Sequence, residues 1–351
     1  MTLDKVKNSK LLKAFLNYGI SLILAVVFLY IAFYNVNFGE VLSLVSHASI
    51  GWVILFAATV FLGHIIRALR WKVILNSVKP DASFKNLFGA LMIGYGVNCV
   101  TPKLGEVTRA VIIGKWENLS RSSMFGTVIV ERVIDIISLG LAVLVSAYVW
   151  RESLYEIFPW LESTLYIAGV LILGILLMIY LTVNFKHKFY GFIIRLFGKI
   201  SEKLAKKAAY IFEMLTEGFS SLKGTRNYIY TVLLTLLILV IYSLSSYIGF
   251  FMLSMNEIIP VTFEMGWVLM SIAAIGVVIP TPGATGSYHT LAKSTLVLLF
   301  GFGETISAAY AFLTHIISYF IFILTALIVY FVFDKRDEKI SKVIETNLDN
   351  S

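Results

Sequence analysis

Six continuous apolar runs, at about residues 18–34, 51–66, 123–148, 162–184, 228–254 and 306–333, constrain this chain more than any other feature. Most approach or exceed the ~20 residues that a helix needs to cross a bilayer. Inside hydrocarbon no water satisfies peptide groups, so a spanning segment is either a helix or part of a closed barrel. Barrel strands alternate apolar and polar residues over ~10 positions. The runs here do not alternate, so the expected fold is an all-α polytopic transmembrane helix bundle. Composition agrees: 58% of the 351 residues are hydrophobic and only 14% charged, against about 25% charged in soluble domains.

Two further apolar segments are shorter and end at breakers. One is 87–100, followed by Thr101-Pro102; the other is 265–279, followed by Pro280-Thr281-Pro282-Gly283. Lys and Arg in short loops mark the cytoplasmic side. Four lysines precede the first run, and residues 35–50 contain no Lys or Arg. Nine Lys and Arg lie between 67 and 121, on both sides of segment 87–100. If that segment crossed once, four of them, from Lys103 to Arg121, would be external. If it enters and returns from the cytoplasm, all stay inside. The same rule places 149–161 outside, 185–227 inside, and both 255–265 and 301–305 outside. The segment 265–279 then enters and returns externally. On this topology 26 of the 29 Lys and Arg are cytoplasmic, the exceptions being Arg132, Arg151 and Lys293.

The expected architecture is therefore six full spans plus two re-entrant hairpins in an inverted-repeat arrangement, about eight membrane segments. Both termini are expected in the cytoplasm. Residues 1–340 read as one transmembrane domain, 341–351 as a polar tail. Within the domain, 186–223 reads as an amphipathic helix on the cytoplasmic membrane surface, with apolar residues at helical spacing and lysines between them. The run at 18–34 lacks a cleavage site and reads as a retained first helix.

Several function classes are disfavoured. Cys99 is the sole cysteine, the five histidines are scattered, and no phosphate-binding glycine motif occurs. No metal, cofactor or nucleic-acid partner is expected. What remains is charge inside apolar sequence. Glu131, Arg132 and Asp135 lie early in a membrane run; buried ionisable groups of this kind are costly and usually pair around a cavity. Arg132 and Asp135 can pair at i,i+3, whereas Glu131 and Asp135 repel at i,i+4. A cation from elsewhere should sit between them, with Arg109 and Lys103 as the expected candidates. His64, Arg67 and Arg70 share one face at the end of the second run, where Arg67 could grip a phosphate at the cytoplasmic entrance. Trp71 reads as an interface anchor. In the second half, His289 and Lys293 are i,i+4 on the return arm, Lys293 as an unpaired cation for an anionic headgroup, and His315 as a packing residue.

Together the motifs R-A-L-R-W (67–71), N-x-x-x-P-x-x-G-E-x-x-R (Asn98, Pro102, Gly105, Glu106, Arg109), E-R-x-x-D (131–135) and P-x-P-G-x-x-G (Pro280, Pro282, Gly283, Gly286) resemble the lysylphosphatidylglycerol synthase transmembrane family, over about residues 15–335. Ala284 replaces a glycine of the usual second motif, and His289 stands near its acidic position. The resemblance implies a flippase-like lipid translocator, moving a phospholipid or lipid-linked saccharide between the leaflets of a bacterial or archaeal plasma membrane. No soluble synthase domain is present, so enzymatic activity is not expected. The alternatives are a membrane enzyme such as a lipid-linked glycosyltransferase, for which residues 35–50 offer only Glu40 as an acid, or an accessory subunit of a separate synthase or glycosyltransferase.

Overall fold

The computed structural model describes residues 3–76, 78–151 and 224–334, with isolated positions between 163 and 202. The expected span at 162–184 and the surface helix at 186–223 lie largely outside the described residues. Those described form α1 (Leu3–Phe33), α2 (Phe38–Ser46), α3 (Ile50–Leu75), α4 (Phe84–Val100), α5 (Leu104–Trp116), α6 (Arg121–Val149), α7 (Thr225–Met252), α8 (Phe263–Val278), α9 (Ser287–Leu298) and α10 (Glu304–Asp334), and contain no β-strand. Among them α3, α7 and α10 are long and apolar enough to cross a membrane; α1 and α2, bent by 82° at a short break, count as a fourth candidate if taken together. The all-helical fold is thus as expected.

Two boundaries differ from the sequence reading. The apolar run at 51–66 understates α3, which continues to Leu75 and holds Arg67 and Arg70 in its interior. Residues 35–50, to which the sequence assigned no element, contain α2. Asn37 caps α2, accepting from the Gly39 and Glu40 N–H groups at 3.0 and 3.4 Å while its Nδ2 donates to Glu40 at 3.1 Å. This side-chain capping supplies the acceptor that a helix start lacks.

The chain forms two compact units. Among the described residues, the first comprises those within 3–63, 92–108 and 240–334, and the second those within 64–91 and 109–239.

In the first unit, two breaks reverse the chain. After α4, Thr101-Pro102-Lys103 turns with Lys103 at φ 64°. The Gly105 N–H then donates to Asn98 Oδ1 at 2.7 Å. A Cβ on Gly105 would overlap the Gly94 carbonyl, so only glycine lets α5 begin this close to α4. After α8, a short 3₁₀ turn at Pro282–Ala284 and Gly286 redirect the chain into α9. Ser287 Oγ donates back to the Gly276 carbonyl at 2.7 Å, which ties the two arms. At 17, 13, 16 and 12 residues, the four arms are about 18–26 Å long, short of the ~30 Å hydrocarbon core.

α10 orders both hairpins. Along its C-terminal half, Tyr95 stacks on Phe322 at 5.0 Å, and Gly96 lies against Ala326. Along its N-terminal half, Tyr288 bonds Thr314 at 2.9 Å and Lys293 pairs with Glu304. The hairpins thus approach the middle of α10 from opposite ends. α1 packs on the outer side of α9, with Thr290 Oγ1 donating to the Phe28 carbonyl at 2.8 Å. Phe250 anchors the apolar core through rings of Phe300, Phe302 and Tyr310, at 6.4, 5.9 and 5.4 Å.

In the second unit, Glu117 pins the open end of the first hairpin. It accepts from the Ser83 N–H at 3.0 Å and Asn86 Nδ2 at 2.7 Å, and pairs with Lys79 at 3.3 Å. Ile74 and Val130 pack between α3 and α6, with Val133 and Ile134 against them.

Candidate functional site

Two clusters carry the polar groups that sequence alone cannot dismiss as surface. The first lies within the second unit. Glu131, fully buried, meets four guanidinium groups: Arg109 at 2.7 Å, Arg67 at 3.0 Å, Arg132 at 3.1 Å and Arg70 at 3.4 Å. Asp135 meets three of them, Arg70 at 2.5 Å, Arg67 at 2.7 Å and Arg132 at 2.9 Å. Among the described residues, four guanidiniums crowd around two carboxylates in a largely buried setting. The planar, multi-donor guanidinium allows such crowding, because each can serve two carboxylate oxygens. Trp71 lies beneath Arg109, whose Cζ is 5.0 Å from the ring centroid, and donates Nε1–H to Thr127 at 3.2 Å. Arg70 also donates to Thr235 of α7 at 3.2 Å.

Exposure is graded. The side chains of Arg70 and Arg109 are buried, whereas Arg132 is 36% exposed. Arg132 and Asp135 therefore form the accessible edge, and Glu131 the sealed hub.

The second cluster lies within the first unit, where the hairpin tips meet. Tyr319 stands midway along α10. Its hydroxyl donates to the Cys99 carbonyl at 2.7 Å, has the Pro282 carbonyl at 3.2 Å, and lies 3.3 Å from the Thr285 hydroxyl. One side chain thus binds the last turn of α4 and the turn after α8. A Cβ on Gly283, at φ 52°, would collide with this ring. His315, one turn away, donates Nε2–H to the Gly283 carbonyl at 3.0 Å. His289 Nδ1 accepts the Gly286 N–H at 3.2 Å and caps α9, its ring 4.5 Å from His315.

The sequence model of the lysylphosphatidylglycerol synthase TM region matches residues 18–333. The chain belongs to this family of integral membrane proteins. It is also similar to a UPF0104 membrane protein of Methanocaldococcus jannaschii, 24% identical over 315 residues, which is 86% of this chain and 90% of the relative. A second UPF0104 membrane protein, from Pyrococcus horikoshii, is 24% identical over 320 residues, 86% of this chain and 92% of the relative. One from Methanothermobacter thermautotrophicus is 31% identical over 100 residues, 28% of this chain and 30% of the relative.

Family membership makes the placement of each motif informative. The R-A-L-R-W, E-R-x-x-D and Arg109 positions converge on the arginine cluster. Asn98, Pro102, Gly105 and Glu106 build the first hairpin tip, where Asn98 Nδ2 also donates to Glu106 at 3.3 Å. Pro282, Gly283, Gly286 and His289 build the second.

Several expectations need correction. Besides Arg132 of the same helix, the cations that bridge Glu131 and Asp135 are Arg67 and Arg70 of α3; Arg109 reaches Glu131, and Lys103 is exposed at the hairpin turn. Arg67 is 9% exposed and held by two carboxylates, rather than placed as an open entrance contact. Trp71 is buried, not an interface anchor. Lys293 is not unpaired, since it pairs with Glu304. Among residues the sequence did not single out, Tyr319 matters most. It is one of 18 tyrosines, in an otherwise apolar helix, and no spacing marks it.

Proposed function

We infer that this protein translocates a phospholipid-like amphiphile between the leaflets of its membrane, through paired re-entrant hairpins of inverted orientation. The observation that carries this reading is the meeting of both hairpin tips at Tyr319, reached from opposite ends of a membrane-length helix. Broken helices arranged in opposed halves place a site near the bilayer midplane in known transporter architectures. Non-helical backbone at that depth persists only where protein or a wet cavity covers it. The arginine cluster supports an anionic headgroup, with its multi-donor guanidiniums and Arg132 at its accessible edge. In this mechanism Arg67, Arg70, Arg109 and Glu131 hold the charge in place, and Arg132 with Asp135 meets the passing headgroup.

The test is transfer of fluorescent phospholipid analogues in liposomes containing the purified protein, read by quenching from outside. Protein-dependent transfer is expected. A folded protein that moves no lipid across varied headgroups would sink the reading and leave the accessory-subunit alternative.

Tyr319→Phe refines it. The ring contact with His315 stays, and the hydroxyl link between tips is lost. The expected stability cost is about 1 kcal/mol, so the protein should fold. Transfer should change by about fivefold or more, because ~1 kcal/mol shifts a two-state balance by that factor. An unchanged rate would show that the link between the tips plays no part in transfer.

The proposed topology has its own test. In a Cys99→Ser background, a cysteine at position 122 should be labelled only from the cytoplasm, and one at 303 only from outside. External labelling at 122 would refute the re-entrant reading of the first hairpin.

A further inference from the structure

A cleft of about 340 Å³ opens within the first unit, between the end of α1, the outer half of α9 and the start of α10. Its lining includes the polar Asn35, Lys293, Ser294 and Glu304 and the apolar Ile31 and Leu298. Lys293 is 9% exposed and pairs with Glu304, which stands 56% exposed at the mouth. The cleft lies where α10 begins, about fifteen residues before Tyr319. At 1.5 Å per residue that is about 22 Å along the helix, beyond the ~15 Å half-thickness of the hydrocarbon. On the topology proposed above, with Tyr319 near the bilayer midplane, this places the cleft at headgroup depth. Its rim is greasy: Ile31, Tyr34 and Leu298 are 48%, 55% and 54% exposed. That suits an occupant with acyl chains rather than a soluble ion.

We propose that this cleft binds a zwitterionic phospholipid headgroup of the phosphoethanolamine type, its phosphate on Lys293 and its ammonium on Glu304. The two protein charges are held differently. The cation sits inside, and the carboxylate guards the approach. A purely anionic headgroup that reaches Lys293 displaces Glu304 and then faces its charge. A headgroup with phosphate and ammonium on a two-carbon spacer replaces one internal ion pair by two, and leaves no charge without a counter-ion. Like charges brought together at a binding surface discriminate strongly against the wrong partner. Ser294 and Asn35 add hydrogen-bonding groups to the lining of the cleft. The proposal extends the lipid-translocator reading by naming a headgroup class at the start of a path along α9. The binding itself does not require transport.

The test is equilibrium binding to the purified full-length protein in detergent, counted by native mass spectrometry. The probes are dioctanoyl phosphatidylethanolamine, its N-acetylated form, dioctanoyl phosphatidylglycerol and soluble phosphoethanolamine. The phosphatidylethanolamine should bind about tenfold tighter than either lipid lacking the free amine, the scale of one well-placed ion pair. Glu304→Gln, at an exposed helix start, should remove that preference while retaining phosphate-dependent binding. Lys293→Met should weaken all three lipids. Equal binding of the phosphatidylethanolamine and phosphatidylglycerol by the wild type would overturn the proposal, as would a preference that survives Glu304→Gln. Soluble phosphoethanolamine binding as well as the lipid would overturn the assignment to a lipid. Selective binding without transfer in liposomes would sink the translocator reading alone, and transfer without selective binding would sink this site alone.

Discussion

Replacing Glu131 by glutamine is expected to cost about 3–5 kcal/mol, the usual penalty for leaving a buried charge without its partner. Four guanidiniums converge on this carboxylate, and its side chain is fully buried. The amide offers no charge, and its NH₂ would point a donor at groups that only donate. Expression should fall, and the melting temperature in detergent should drop sharply. Asp135→Asn should cost less, because its side chain is 21% exposed and meets three guanidiniums. Coupling provides a further check. In a Glu131→Gln background, Arg109→Gln should cost less than it does in the wild type, since the cation has already lost its carboxylate. A Glu131→Gln protein with unchanged melting temperature would remove the hub from the account.

Gly286→Ala should come close in severity, by a different physical route. The backbone there has φ 85° and ψ −59°. A side chain in such a sparsely populated region costs about 1–3 kcal/mol. An added Cβ would also lie 2.5 Å from the Ala25 carbonyl oxygen and 2.9 Å from the Leu29 nitrogen, both backbone atoms of α1. Overpacking against atoms that cannot rotate away adds a further ~1–3 kcal/mol. Gly301 is an internal control. Its φ is 75°, but a methyl group there would meet nothing within 4 Å. Gly301→Ala should therefore show the conformational part alone, about 1 kcal/mol. The two substitutions are compared by thermal unfolding of purified protein. Equal losses would mean that the approach of α1 to the second hairpin tip contributes nothing.

Much of this protein was written in one dimension. Continuous apolar runs force helices, since hydrocarbon satisfies no peptide group. Thr101-Pro102 and Pro280-Thr281-Pro282-Gly283 announce breaks, since proline removes a donor and fixes φ. Arg132 and Asp135 pair as their i,i+3 spacing requires. Helix extent was partly legible: the shared face of His64, Arg67 and Arg70 already implied a helix there, but no local pattern records that the two arginines meet carboxylates on α6. The cap at Asn37 was readable from its spacing to Glu40, a side-chain pattern that the long apolar runs overshadow.

The partners of each charge were decided only in three dimensions. Sequence placed several ionisable groups near the membrane and could not say that Arg67 and Arg70, far along the chain from Glu131 and Asp135, would bridge them. It left Lys293 alone, when the fold brings Glu304 to it from the start of the next helix. It also left Tyr319 anonymous, although this residue joins the turns near 99 and 282. Periodicity and breakers are local, so they survive in a linear reading. Ion pairing, glycine contacts and the meeting of two hairpin tips depend on which helices lie side by side, and packing alone settles that.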